Sequence, residues 1–548
     1  MIRALALVAL SALIFLAYAP VRDAEFLNYD DNEYVYANPE VAGGLDFESV
    51  EWAFTEAHSS NWHPVTWLAH MLDVELFGVA PEDAGEHHLS NVFIHSLATA
   101  LLAWLGFVLT GRWWASLLVA ALFGLHPLHV ESVAWISERK DTLSAALGFA
   151  TLIAWTGYVR RGGRGRYLLT TVLLALGLMT KPILVAWPLV MLLLEEWPLR
   201  RDLSLRHRIV EKLPWFGLVA ASAIATIMAQ STTQAVKSVS AVPLVDRLIN
   251  AIHANVAYLG KLVAPLNLSV IYPHWSSIEG LDGPSGLQTA LELALLGLIT
   301  TLAVWVLRRH GRRMPLVMWG LWLILLLPVI GILQVGDQSM ADRYTYLPSI
   351  GMFTIFVAAL LWPVDHDPRS RPVGVAIAAL LLVACTIGTW QRAQVWQNSE
   401  TLFAAAVEAE PMSATAHMNL GQALSRRGAV QEAVRHYAIA ASLKPGSATA
   451  HFNLGNSLRD TGRLEDAIAE YETALRAQPE YAAAANNLGD VYARQQRFDD
   501  AIQWFRRAVD LDPDLAAAHI NLARALLIVG RHDEAVAAAE RAVNLKPA

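Results

Sequence analysis

Cysteine is nearly missing from this chain. Cys385 is the only one among 548 residues, so no disulfide can form within the chain and no thiolate cluster can bind zinc. Charge is scarce as well: Asp, Glu, Lys and Arg make up 16% of residues, against about 25% in ordinary soluble domains. With 55% hydrophobic residues and a mean hydropathy of +0.37, much of the chain belongs in lipid. A net charge of -8 leaves no basic excess and excludes nucleic acid as the main partner. There is also no soluble Rossmann-like segment, and hence no nucleotide-sugar fold. Tryptophan, by contrast, is plentiful at 19 residues, as suits side chains that favour the lipid–water boundary.

About 20 apolar residues are needed to cross a ~30 Å hydrocarbon core. Runs of that character lie at 3–20, 89–110, 113–127, 142–158, 214–230, 287–307, 315–334, 346–363 and 372–390. The first is expected to be a retained helix, because Pro20 directly follows the "AYA" that would otherwise serve as a cleavage site. From Tyr167 to Leu194 the apolar run is interrupted only by Lys181-Pro182, and a hairpin turning at Lys181 keeps "RRGGRGR" (160–166) and "RRDLSLRHR" (200–208) on one side. Across 244–264 an apolar stripe of 3.6-residue period faces Asp246, Arg247, Asn250 and His253, which predicts an interfacial helix that does not cross. The expectation is an all-α polytopic domain, 1–390, with about 11 spans. With Arg3 inside, the odd count puts the C-terminal region, 391–548, on the outer side.

That region is soluble and Ala-rich. "NLG" at 419–421, 453–455 and 487–489 and "NLA" at 521–523 recur every 34 residues, as do Pro411, Pro445, Pro479, Pro513 and Pro547. A 34-residue period with small residues and a closing proline is the tetratricopeptide signature, predicting an α-solenoid of four repeats behind a partial one at 399–411. Such arrays bind peptides, and Asn419, Asn453, Asn487 and Asn521 recur along the first helix of each repeat. An amide both donates and accepts, so this ladder either grips a peptide backbone or is a tolerated consensus residue.

On this topology the outer ends of the spans hold the unusual chemistry. They carry "NYDDNEY" (28–34), His63 in "NWHPVTW", His126, His129, Glu131, Glu138, Arg139 and Lys140 in "HPLHVESVAWISERKD", Lys181, His274 in "IYPHW", and Asp342, Arg343 and Tyr344 in "VGDQSMADRYTY". Acids, histidines and cations gathered at several span ends point to a shared cavity. Asp30 and Asp31 do not fit a calcium loop, since Glu33 stands where that loop needs glycine and Pro39 where it needs glutamate. Two adjacent carboxylates suit a general base and its partner, or a plain turn after a helix. His126, His129 and Glu131 have metal-ligand chemistry, but Pro127 breaks their spacing, so a hydrogen-bonded structure is preferred and no metal is expected. Arg139, Lys140 and Arg343 are placed either to hold a lipid phosphate, Arg by forked bonds and Lys as a point charge, or simply to snorkel as single basic residues at span ends do.

Taken together, "FLNYDDNEYVYANPEV", "HPLHVESVAWISERKDTLSA", "ADRYTYLPSIGMF" and the C-terminal repeats resemble the transmembrane and tetratricopeptide repeat-containing proteins and their bacterial relatives. The resemblance implies a GT-C-like membrane domain and O-mannosyltransferase activity, moving mannose from a polyprenyl-phosphate carrier to Ser or Thr of a protein acceptor held by the repeats. It gives the essential outer-loop acid to Asp30 or Asp31, with Asp30 preferred as base, and requires no cofactor. The compact Ala-rich style implies a bacterial inner membrane with the active face periplasmic. Two other readings compete: a membrane-anchored repeat scaffold without catalysis, and a transporter of lipid-linked sugars. Transporters place ionisable groups near the bilayer midplane, whereas these gather at one surface.

Overall fold

A computed structural model describes residues 1–231, 242–278, 282–332 and 336–545. Pro547, Gln334 and Val335 lie outside the described residues. The chain forms two compact units, the first ending at Ala405 and the second beginning at Ala406, fifteen residues beyond the expected boundary at 390.

The first unit is a helical bundle. Its main helices are α1 (Ile2–Ala17), α2 (Pro64–Phe77), α3 (Ala84–Thr110), α4 (Trp113–Leu125), α5 (Arg139–Arg161), α6 (Arg164–Leu178), α7 (Trp187–Glu196), α8 (Leu205–Ser231), α9 (Leu244–Val263), α10 (Gly286–His310), α11 (Met314–Leu326), α12 (Ser349–His366) and α13 (Arg371–Val395), followed by α14 (Ser399–Ala409). Among the described residues, six helices are long and apolar enough to cross a membrane, or seven if α4 and the short helix Val130–Ala134, bent by 55° after it, form one span. The expected count of about 11 is therefore not met by length and composition. Helices α1 and α11 are apolar but shorter, and α6 and α7 are 15 and 10 residues long.

Two of the ambiguous segments have a clear geometry. The chain does turn at Lys181, between α6 and a 3-10 turn leading into α7. Helix α9 shows its apolar face to the surroundings, with Leu244, Val245 and Leu248 exposed, and turns its polar face inward. Asn250 donates to Ser339 O, Tyr258 accepts from Ala341 N–H, and His126 donates to Leu262 O. These partners all lie at the end of the bundle that carries Glu131 and Arg343, so α9 lies across that end. Beside it β1 (Tyr272–Pro273) pairs antiparallel with β2 (Gln338–Met340) just before Arg343.

The second unit stacks helix pairs: α15 (Ala414–Arg426) with α16 (Val430–Leu443), α17 (Ala448–Asp460) with α18 (Leu464–Ala477), α19 (Ala482–Arg494) with α20 (Phe498–Leu511), and α21 (Ala516–Ile528) with α22 (His532–Leu545). The glycine of each "NLG" is dictated by packing. A Cβ on Gly421, Gly455 or Gly489 would stand 2.7–2.9 Å from the ring of Tyr437, Tyr471 or Phe505. In the fourth repeat Ala523 replaces the glycine, and Ala539 stands where the others have an aromatic.

Candidate active site

The stretch from Glu25 to Asp30 is irregular and leads at Asp31 into the helical turn Asn32–Tyr36, and the two aspartates there point to different fates. Asp31 is fully buried. Its Oδ2 accepts from Leu27 N–H at 2.9 Å, and its Oδ1 accepts from Ser137 N–H at 3.1 Å and Ser137 Oγ–H at 2.5 Å. It ties the loop to the residue just before α5. Burial raises its carboxyl to about 7, with these donors pulling it back down. Asp30 has a left-handed backbone, φ 68°, and is exposed. No hydrogen bond to its carboxylate is found among the described residues. Surrounding protein still raises that carboxyl above its ordinary value, the charge of Lys140 opposing and that of Glu138 reinforcing the shift. An accessible carboxylate that is nonetheless desolvated by its neighbours marks the wall of an open cleft.

Opposite it lies a compact set of charges. Glu138 is the centre, with Lys181 Nζ at 2.9 Å, Lys140 Nζ at 3.2 Å and Arg343 Nε at 3.4 Å. Lys181 also reaches Asp141 at 2.6 Å, and Arg343 pairs with Glu131 through both its guanidinium and its N–H. Lys140 lies 4.5 Å from the centre of the Tyr34 ring and donates to Tyr34 Oη at 3.3 Å and Ser137 O at 3.1 Å. Arg343 stands over the rings of Trp135 and Tyr344. Burial works against the charge on Arg343 and Lys181, yet the carboxylates beside them, Glu131 for the one and Asp141 for the other, hold both firmly protonated. Three cations and three carboxylates thus meet within one helical turn of α5 and the two loops facing it.

Other expected residues are placed elsewhere. Arg139 must be reassigned from phosphate binding to the fold. It is fully buried, 2.5 Å from Asp73, and donates to Asn91 Oδ1, Ala69 O and His87 O. Successive helix residues point about 100° apart, so Arg139 turns towards α2 and α3 while Lys140 turns to the cleft. His126 and His129 are also corrected: both are buried and staple the α4 bend. His126 donates to Leu262 O and accepts from Leu128 N–H, while His129 donates to Phe123 O and lies 3.1 Å from Ser349 Oγ. His63 is buried between Tyr34 and Trp67, and that burial keeps its imidazole neutral. His274 is buried beside Ser276, and Asp342 is buried with Oδ1 accepting from Tyr272 O–H at 2.9 Å. All six are buried. Tyr344, Arg343 and Lys181 are half-buried at it. Among the described residues, no three His, Cys, Asp or Glu gather as a metal ion would need.

Sequence reasoning missed Tyr29, Tyr34, Trp135 and Ser137. Tyr29 stacks on Trp135 at 4.8 Å, and Trp135 Nε1 donates to Tyr29 O. Aromatics inside the quoted motifs were the available signal. In the repeats, Asn419, Asn453, Asn487 and Asn521 are half-buried on the first helices. Asn521 donates to Asn486 Oδ1, Asn486 to Asn487 Oδ1, and Asn487 to Asn456 Oδ1, which Tyr471 also reaches. The third and fourth asparagines are therefore engaged in links between repeats.

Family models described as Tetratricopeptide repeat match residues 391–448, 452–516 and 492–548. The chain is 24% identical to "Protein O-mannosyl-transferase F38B6.6" of Caenorhabditis elegans, over 79% of this chain and 61% of that protein. It is 24% identical to "Protein O-mannosyl-transferase Tmtc1" of Drosophila melanogaster, over 77% and 60%. With "Protein O-mannosyl-transferase TMTC4" of Homo sapiens the figures are 26%, 77% and 64%. The chain thus spans about 60% of the length of the curated relatives it matches. A solved structure described as "Crystal structure of MamA" is 23% identical, covering 29% of this chain and 90% of that one, with a TM-score of 0.26. The likeness to the transmembrane and tetratricopeptide repeat-containing proteins extends over more than three quarters of the chain.

Proposed function

We propose that this protein is a membrane glycosyltransferase of the GT-C type that moves a sugar, mannose by analogy with its relatives, from a polyprenyl-phosphate carrier to a Ser or Thr hydroxyl of a protein acceptor. The observation that carries the reading is the open Asp30 carboxylate within the field of Lys140 and Arg343, which share Glu138 with Lys181, at one end of a lipid-grade bundle. Asp30 takes the proton of the acceptor hydroxyl as its oxygen attacks the anomeric carbon. The bond from that carbon to the phosphate oxygen breaks with inversion, and the electron pair leaves on the polyprenyl phosphate. Its growing charge falls to Arg343, Lys140 and Lys181, whose positions are preorganised by Glu138, Glu131 and Asp141. No nucleotide or metal is required of the residues named.

An apolar cavity of about 470 Å³ suits the isoprenoid tail. It is lined by Leu102, Phe149, Trp187, Met318, Leu321 and Ile350 among others and contains none of the site's charges. Phe149, Trp187 and Ile350 follow Asp141, Lys181 and Arg343 by six to eight residues, so the tail would run inward from the phosphate. Orientation follows from charge. Arg112 pairs with Asp365, and Arg208 and Arg313 both pair with Glu196, at the end of the bundle opposite the site. Arg3 stacks on Phe107 at that same end. Basic residues gather on the cytoplasmic face, which supports an outer location for Asp30, periplasmic if the host is a bacterium. The repeats would present the acceptor.

The test uses membranes containing the full chain, radiolabelled polyprenyl-phosphate mannose and a mixed pool of envelope proteins. Label entering protein supports the reading. No transfer from mannose or any other sugar donor, together with unaltered partner recruitment by Asp30→Asn, replaces it with the scaffold.

A further inference from the structure

We propose that Ser399 and Phe403, at the start of α14, are positioning residues for the Asp30 carboxylate; the inference rests on the function proposed above. Asp30 lies where an irregular stretch enters the helical turn Asn32–Tyr36, its C=O accepting from Tyr34 N–H at 2.9 Å, so its direction depends on that turn and on what holds the residues before it. On the C-terminal side Asp31 is fixed to Ser137. On the N-terminal side Trp135 Nε1 holds Tyr29 O and Asp31 holds Leu27 N–H, and further anchors come from a segment some 370 residues away. Glu25 N–H donates to Gln397 O at 2.8 Å, and Asn28 N–H donates to Ser399 Oγ at 2.9 Å. Phe403, fully buried, meets the edge of the Tyr29 ring at 5.6 Å while Trp135 stacks on its face.

Asn398 caps α14, its Oδ1 accepting from Thr401 N–H at 3.0 Å. Ser399, the first residue of that helix, accepts through Oγ from the amide two residues before Asp30. The Asp30 backbone sits in the left-handed region, which a non-glycine residue leaves readily once its flanks are loosened. Losing either anchor swings the carboxylate without removing it or any of the cations opposite.

The full chain in detergent is compared as wild type, Ser399→Ala, Ser399→Thr, Phe403→Ala and Phe403→Tyr. Hydrogen exchange is read over the peptide containing Asn28, alongside kcat and KM for donor and acceptor. Ser399→Ala should speed exchange in that peptide at least tenfold and lower kcat about tenfold, with donor KM unchanged. Ser399→Thr, which restores the acceptor oxygen, should recover both. If Phe403→Ala fails to fold, Ser399→Ala and Phe403→Tyr carry the decision. Unchanged exchange shows that the docking contact is not made and overturns the proposal. Faster exchange with wild-type kcat overturns it too, because the contact is then merely structural. A wild type inert with every donor overturns the proposed function and the positioning role with it, while the exchange rates still report whether the loop is docked.

Discussion

Replacing the two neighbouring aspartates one at a time should separate chemistry from architecture. Asparagine is the informative substitute at position 30, because it tolerates the left-handed backbone found there, φ 68°, where alanine would add strain. The Asp30 side chain is exposed and accepts no hydrogen bond among the described residues, so Asp30→Asn should change stability by no more than about 0.5 kcal/mol. Losing a general base costs about 10²–10⁴ in rate, or roughly 3–5 kcal/mol of barrier. At position 31 the expectations reverse. Asp31 accepts only from donors, two of them backbone N–H groups. The amide of Asp31→Asn must therefore turn its NH2 towards a donor and leave a buried N–H unsatisfied, at about 1–3 kcal/mol. The assay is label transfer at saturating donor, paired with thermal unfolding of each variant in detergent. The acid limb of the wild-type pH–rate profile should lie above the usual carboxylate range, as the raised Asp30 requires, and vanish in Asp30→Asn. An Asp30→Asn enzyme that folds normally and turns over within threefold of wild type would refute the assignment.

Three further outcomes are expected. Glu138→Gln removes the carboxylate shared by Lys140, Lys181 and Arg343, and breaking such a buried set should cost about 3–5 kcal/mol; an unshifted melting temperature would contradict it. Asp31 binds its proton in the fold up to about pH 7 but in the unfolded chain only to about pH 4. The native state therefore holds the extra proton between those values, and stability should fall by up to about 1.4 kcal/mol per unit as pH rises through that window, then level off. Melts of wild type and Asp31→Asn across pH 4–8 check this, the slope being absent in the variant. In the repeats, Gly455→Ala would push a Cβ to 2.8 Å from the Tyr471 ring. It should destabilise by about 1–3 kcal/mol as read by urea unfolding of the full chain, whereas Ala523→Gly, with Ala539 opposite, should cost no comparable clash.

What was legible in the sequence was what is local or periodic. The 34-residue repeat needs only neighbouring helices to make sense, and the packing of Gly421, Gly455 and Gly489 on ring residues sixteen positions later explains its invariants. The polar face of α9 was equally visible, although only the structure shows that face turned inward and the apolar stripe turned out. The cleft was legible as a set of residue types and not as an arrangement. Asp30 and Asp31 differ because Ser137, 106 residues away, claims one and not the other. Helix phase alone separates Arg139 from Lys140, and it could have been applied once α5 was known to begin at Arg139. The span count of about 11 is not matched by helix length and composition, because apolar runs such as 3–20 and 167–194 fold as helices of 16, 15 and 10 residues.

The pairing of three cations with three carboxylates bears on how such a site would favour the transition state over the substrate. A polyprenyl phosphosugar is a phosphodiester with one negative charge, and the departing polyprenyl phosphate carries nearly two. Bare cations would grip the product hardest and hold it. Here Glu138, Glu131 and Asp141 already satisfy Arg343, Lys140 and Lys181 in the resting site, so the donor gains only the excess field that its phosphate can draw away from those carboxylates. That gain grows as the bond to the sugar breaks and the second charge develops, which is the differential binding that raises a rate. The same pairing explains why the cations survive at the edge of a lipid-grade bundle at all, since an unpaired buried ammonium would give up its proton or its fold. Asp30 stands outside this exchange of partners, open and without a hydrogen-bond donor among the described residues, and so remains available to take a proton.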